Sequence, residues 1–480
     1  MAEEKKHKGR KIAAWVLGIL LLLVMLLPLA LYIPWVQDIA KDYACEWASK
    51  KTGLDIDIER VLIKFPLDVS VDGVRVLDQN GDTLLAAENL TAGIALKPLL
   101  DKRVEVDEAR LTRARYRFNT DDESLRLNAK VQHCRVRGVA VDLANNEVNI
   151  ADGALRGGDV DLEYLPYKAE EDADTTQSAP WRIKANRLTL DDVNYSMQML
   201  PTIDKMTAHV GHAELRGGKV DTGAHTVDAT SLAVDSVDCR YYYPSADSAR
   251  RYDARHPLPL PKLKLPGDTT TWTVKADSVR LTRGHAIYAQ NDAKPTSGDA
   301  LDMNYIEVND LDLAVDNLTN HGTDVDLTVA RIRARERSGL EIKEGQGHIV
   351  MDSTHVDLKR VRLKTMLSDV DVDGNVDMAL LRGDKNGQMH ITTNSKIALQ
   401  EVGKLAPGLR PALKDVPQVS PVSVKGDVSG TMKRLQVNSL TADMPRYAHA
   451  TVSGIINNPL DPERLSGEVE MDARSTISTG

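Results

Sequence analysis

The chain has 480 residues, a net charge of −9 and a pI near 5.8, so it lacks the basic surface that a nucleic-acid partner requires. Hydrophobic residues make up 42%, enough for a core, but aromatics are only 4%, with Phe65 and Phe118 the sole phenylalanines; any apolar face must therefore be aliphatic. Cys45, Cys134 and Cys239 lie far apart with no CxxC spacing, which argues against zinc; one disulfide could form, leaving a third thiol unpaired.

In chain order, Ile12 to Ile33 is an uncharged run long enough to cross a hydrocarbon core. Trp15, Tyr32 and Trp35 sit near its ends, where amphipathic rings prefer the interface. Five basic residues between Lys5 and Lys11 precede it, so the tip is expected in the cytoplasm and the rest outside. The apolar run exceeds a usual cleavable leader, which favours an uncleaved anchor. Val36, Ile39, Ala40, Tyr43, Ala44, Trp47 and Ala48 then follow helical spacing, and Gly53 suits the stop. This helix would either cap the first strands or lie on the membrane surface.

From Leu54 onward the apolar period is two, the mark of strands with one apolar and one wet face. Val61, Ile63, Phe65, Leu67, Val69 and Val71 define the first apolar face. The parity slips between Ile58 and Val61 and between Val308 and Leu311, which predicts turns or bulges there. Val325, Leu327 and Val329 form a later run, as do Val370, Val372, Val376 and Met378. Helical spacing is rare: Leu96 to Leu100 suggests a turn, and Leu399 to Leu413 a short helix.

A weak repeat runs through the body. Val106, Ala109, Leu111, Ala114 and Tyr116 have offsets matched by Ala185, Leu188, Leu190, Val193 and Tyr195, and by Ala276, Val279, Leu281, Gly284 and Ala286. Two copies share an introduction, Trp181-Arg-Ile-Lys-Ala and Trp272-Thr-Val-Lys-Ala. Polar or Pro-rich loops interrupt the repeat at Pro166 to Pro180 and Pro244 to Pro266. Repetition with one apolar face implies a quasi-one-dimensional β body of roughly 30 strands, over about 100 Å long. The apolar face must meet a second sheet, curl on itself or hold something apolar.

The N-terminal anchor, Thr52-Gly-Leu-Asp-Ile-Asp-Ile, Val61-Leu-Ile-Lys-Phe-Pro-Leu, Asp72-Gly-Val-Arg-Val-Leu-Asp, Leu96-Lys-Pro-Leu-Leu and Val104-Glu-Val to Tyr116 resemble the opening of AsmA-like proteins. Gly403-Lys-Leu-Ala-Pro, Pro421-Val-Ser-Val-Lys-Gly-Asp-Val-Ser-Gly-Thr and Val452-Ser-Gly-Ile-Ile-Asn-Asn-Pro are similar to units of the TamB branch, the translocation and assembly module type. The resemblance implies a mainly β fold: a single N-terminal transmembrane helix, then an elongated repeating β-groove, a curled, taco-like sheet with a few short helices. It implies a single-pass inner-membrane protein with its bulk in the periplasm, carrying phospholipid by its acyl chains toward the outer membrane. The other role it implies is a scaffold for outer-membrane protein translocation and assembly, with a barrel partner met through a C-terminal region beyond Gly480. The expected divisions are 1–35, basic tip and anchor; 36–53, amphipathic helix; 54–165, first β unit; 166–402, repeated units with insertions; and 403–480, a further unit.

No catalytic, metal or cofactor site is expected. Asp369, Asp371, Asp373 and Gly374 resemble the start of a calcium loop, but Leu380 stands where its closing Glu is needed. His209 and His212 are three apart, so on a plain strand they face opposite sides. No P-loop, nucleophile elbow or dinucleotide fingerprint stands in a fitting context, which leaves an anchored enzyme as the weakest reading. Arg331, Arg333, Arg335 and Arg337 line one strand face, either as a solvated surface or as a contact for phosphate headgroups or an acidic partner.

Overall fold

The computed structural model describes residues 33–475 except 65–67, 79–80, 96–97, 99–102, 120–124, 143, 165–179, 200–203, 246–247, 249, 252–270, 291–293, 297, 382–383, 415–420 and 460–462. The anchor with Trp15 and Tyr32, the residues Phe65 and Leu67, and most of the two predicted loops lie outside the described residues. Among the described residues no helix is long and apolar enough to cross a membrane.

Two units divide the chain, the first formed by residues 1–120 with 126–160 and the second by 121–125 with 161–480. In the first, helix α1 (Pro34–Thr52) precedes an antiparallel meander of β1 (Asp55–Lys64), β2 (Asp68–Leu77), β3 (Thr83–Ile94), β4 (Arg103–Asn119) and β5 (Leu125–Asp142). Gly53 closes α1 in a left-handed conformation, φ 72°, and its N–H reaches the Ser49 carbonyl. The helix does rest on β1. It does so through Gln37, buried and donating Nε2–H to the Ile63 carbonyl at 3.0 Å, and through Ser49 Oγ, which accepts from the Ile56 N–H. Two residues of the predicted apolar stripe, Ile39 and Tyr43, point to solvent at 59% and 71% exposure, as does the neighbouring Trp35 at 64%, while Val36 is half-buried.

β6 (Glu147–Tyr164) begins in the first unit and ends in the second. The second unit continues with β7 (Arg182–Met199), β8 (Asp204–Asp221) and β9 (Thr226–Tyr243), antiparallel neighbours. β10 (Thr273–Gln290) then lies parallel to β9, so the chain between them returns the full strand length. Such a return of about 60 Å is within reach of the residues between, at about 3.3 Å each. Ten further strands follow as one antiparallel meander, from β11 (Tyr305–His321), β12 (Asp324–Glu336), β13 (Glu341–Met351), β14 (His355–Thr365) and β15 (Asp369–Asp377) to β20 (Ser466–Ser475).

Twenty strands are described, fewer and longer than the roughly 30 that parity slips suggest. The reason is a recurring break inside the strands. At Glu59/Gly73, Glu88/Arg113, Asp192/Gly211 and Ser236/Gly211 the facing residues skip their ladder pair, yet the register before and after is unchanged. Gly73, Arg113, Asp192 and Ser236 are left-handed, with φ of 63°, 47°, 56° and 61°. An ordinary bulge inserts a residue in one strand; here both strands insert one together, so both keep the same apolar face. Hence Ile58 and Val61 share a face within one strand instead of marking a turn.

The long strands carry a second break six residues from the first, as at Asp107 and Arg113, Asn186 and Asp192, and Asp277 and Arg283. These are the offsets of three in the sequence repeat: a break falls between Val106 and Ala109 and another between Leu111 and Ala114. The repeat is therefore a strand with two creases. Its shared introduction also has a place. Trp181 exchanges bonds with Thr222, its N–H to Oγ1 at 2.8 Å, while Trp272 packs edge-on against His225 at 5.3 Å, so both brace the β8–β9 turn.

Three smaller expectations need correction. Met378 does not extend β15 but opens the short helix α2 (Met378–Leu381). Arg337 lies past the end of β12; its guanidinium sits over the Tyr305 ring at 5.2 Å and donates to the Thr296 carbonyl. His209 and His212 share the polar face after all, because Gly211 is a break residue; they bond to Asn194 and Asp191 of β7 at 2.9 and 2.7 Å. The predicted helix near Leu399 is present as α3 (Leu399–Leu405), followed by a 3-10 turn at Pro407–Leu409 and α4 (Arg410–Leu413). Its buried Glu401 accepts from the Leu367 N–H at 3.2 Å and Thr365 Oγ1 at 2.6 Å, tying α3 to the β14–β15 turn.

Candidate functional site

Because paired breaks preserve the facing, apolar residues line up across the strands. In the first unit one row reads Ile58, Val74, Ala87, Ala114, Val131. The next reads Val61, Val71, Leu90, Leu111, Cys134, and a third Ile63, Val69, Ala92, Ala109, Val136. Four of the six predicted lining residues, Val61, Ile63, Val69 and Val71, thus sit together in two adjacent rows; Phe65 and Leu67 are outside the described residues. The second unit carries an equivalent row of Leu188, Leu215, Leu232, Val279, Val315 and Val329 on β7 to β12.

These rows are not a closed core. In the first unit Ala87 and Ala114 are buried, at 6% and 5% exposure, while the larger side chains around them are only half-buried. Within each unit the described strands make extensive contact only with the strands they hydrogen-bond, and α1 touches the first unit's strands at β1. Fully burying an aliphatic side chain contributes about 1.5–3 kcal/mol, so a half-covered one still gains about 1 kcal/mol from an apolar cover.

Chemistry on this face is correspondingly spare. The described cysteines are free, and burial pushes the Cys134 and Cys239 thiols up, away from the reactive thiolate form. Among the described residues no group of three or more His, Cys, Asp or Glu could hold a metal. Asp371 and Asp373 lie along β15, the first accepting from Arg362 Nε at 3.1 Å and the second from the Arg360 N–H at 2.6 Å. An aromatic group that sequence reading missed, though the run Tyr241-Tyr-Tyr signals it, stacks at the ends of β9 and β10: Tyr288 lies 5.7 Å from Tyr241 and 4.9 Å from Tyr243.

The opposite face is polar and laced across strands. Ion pairs form across several of the breaks: Glu88 with Arg113, Asp310 with Arg335, and Asp235 with Arg283. The Arg283 guanidinium and then the Thr282 hydroxyl hold the Asp235 carboxyl at about 2; bonds from the Thr354 hydroxyl, then from the Thr354 and His355 N–H groups, hold Asp352 at about 2. Both lie below the ordinary carboxyl value, so their stabilising contribution is present above about pH 4 and is lost as pH falls toward 2. The urea midpoint should accordingly be level between about pH 7 and 5 and drop from about pH 4 to 2, less steeply in Asp235→Asn. A midpoint indifferent to acid would contradict these assignments.

No curated protein and no solved structure matches the chain. The model of the AsmA family matches residues 6–192, a span that takes in α1, β1 to β6 and most of β7, so the N-terminal part of the chain is AsmA-like.

Proposed function

We propose that this protein is a non-catalytic lipid conduit of the TamB type: a single-pass inner-membrane protein whose periplasmic strands carry phospholipid by its acyl chains toward the outer membrane. The observation that carries this reading is the set of aligned aliphatic rows, whose larger side chains in the first unit remain only partly buried. An acyl chain needs non-directional apolar contact and no particular polar partner, which is what aliphatic rows without metal clusters or reactive thiols offer. The AsmA-like segment and the mainly β fold support it. The apolar run at residues 12–33 supports the anchor, and the exposed Trp35, Ile39 and Tyr43 on α1 suit a helix lying against lipid just beyond it.

The test is mass spectrometry of lipid carried by the full chain purified in mild detergent. Phospholipid should accompany the protein in amounts well above those on an anchored control domain of similar size. A chain that purifies folded and lipid-free sinks the proposal.

A further inference from the structure

We propose that the polar face of the second unit carries an anion site for a phosphate group, centred on Lys359 and Arg360. Two bulges meet there. Between β12 and β13, Ala330 and Arg331 stand opposite Gln346; between β13 and β14, Arg360 and Val361 stand opposite Gly347. The widened backbone leaves a recess of about 430 Å³ whose polar lining is Thr328, Gln346, His348, Lys359, Arg360 and Arg362, with no carboxylate among the lining residues. Arg360 is left-handed, φ 51°, and its N–H is held by Asp373 Oδ1 at 2.6 Å, so Lys359 and Arg360 both face solvent on the same side.

The nearby acids are already engaged: Asp373 by the Arg360 N–H at 2.6 Å, Asp371 by Arg362 Nε at 3.1 Å, and Asp326 by His348 Nε2 at 2.8 Å. Among the described residues no ion pair engages Arg331, Arg333, Lys359 or Arg360. On a chain of net charge −9, two unpaired cations in one recess, Lys359 and Arg360, stand out. A compact, multiply charged anion suits that convergence; an extended acidic peptide would need cations strung along a line. Arginine's planar fork matches phosphate in two-point contact, and Thr328 and Gln346 add neutral donors. The site lies behind the apolar rows, so it stands or falls independently of the acyl-chain reading. Its phosphate could belong to a lipid headgroup or to a soluble anion.

The experiment uses the full chain in detergent at low salt, where screening is weak. Pyrophosphate binding is measured by calorimetry, and capture by vesicles of phosphatidic acid in phosphatidylcholine against phosphatidylcholine alone. Lys359→Gln combined with Arg360→Asn, which tolerates the left-handed backbone, should weaken binding about tenfold or more, while Arg110→Gln in the first unit should not. Loss of pyrophosphate binding in the variant supports the site with a soluble anion as source. Loss confined to phosphatidic acid vesicles supports it with a headgroup as source. The proposal is overturned if the parent binds neither probe, if the double variant binds as the parent does, or if polyglutamate competes as tightly as pyrophosphate. Circular dichroism checks the fold; should the double variant lose strand signal, the exposed single change Lys359→Gln is measured in its place.

Discussion

A Leu111→Asp chain is expected to fold with its strands intact and to lose most of its bound lipid. Leu111 is half-buried between Leu90 and Cys134 in the middle row of the first unit. In a sealed core an unpaired carboxylate costs several kcal/mol, enough to unfold many domains. On an open face, water reaches the carboxylate when lipid is absent, and the stability cost falls to about 1–2 kcal/mol. The charge then burdens the lipid-bound state instead, because an acyl chain cannot solvate it. Circular dichroism should therefore match the parent while lipid per chain, by mass spectrometry, drops about fivefold or more. Unfolding of the variant would show that the rows are a packed core. A folded variant with its full lipid load would show that lipid is held elsewhere.

Gly217→Val tests the creases. Gly217 is left-handed, φ 61°, and a Cβ there would run into the Thr230 hydroxyl on β9. A β-branched side chain in that conformation costs about 2 kcal/mol, and the overlap adds about 1 more, so the denaturant midpoint should fall by the equivalent of about 3 kcal/mol. Removing the obstacle with Thr230→Ala should restore only the steric share, since the backbone penalty remains. A Gly217→Val chain as stable as its parent would mean that the break is not needed at this position.

Much of the body was legible in the residues alone. The period of two shows which faces are apolar, because side chains alternate across any extended strand whatever its neighbours. Alternation puts Val61 with Ile63 and Val69 with Val71, while the antiparallel pairing of β1 with β2 is what brings the two pairs to one face; the helix after the apolar run is placed by its spacing to within about two residues. The creases were only half visible. A single chain shows its own parity slip, as between Ile58 and Val61, but not whether the strand beside it slips at the same level. That pairing decides between a turn and a crease; it joins segments that parity alone separates into one longer strand and brings His209 and His212 to one face.

The sequence by itself determined that this is an aliphatic, one-sided β chain with a helix at its start, since alternation and composition are local properties. Only the tertiary structure decided which strands adjoin, that β10 runs parallel to β9, and that the apolar rows of neighbouring strands line up. It likewise decided that Lys359 and Arg360 line one recess with Thr328 and Gln346. Such juxtapositions arise from hydrogen-bond register between segments tens of residues apart, and no spacing within one segment encodes the register of another.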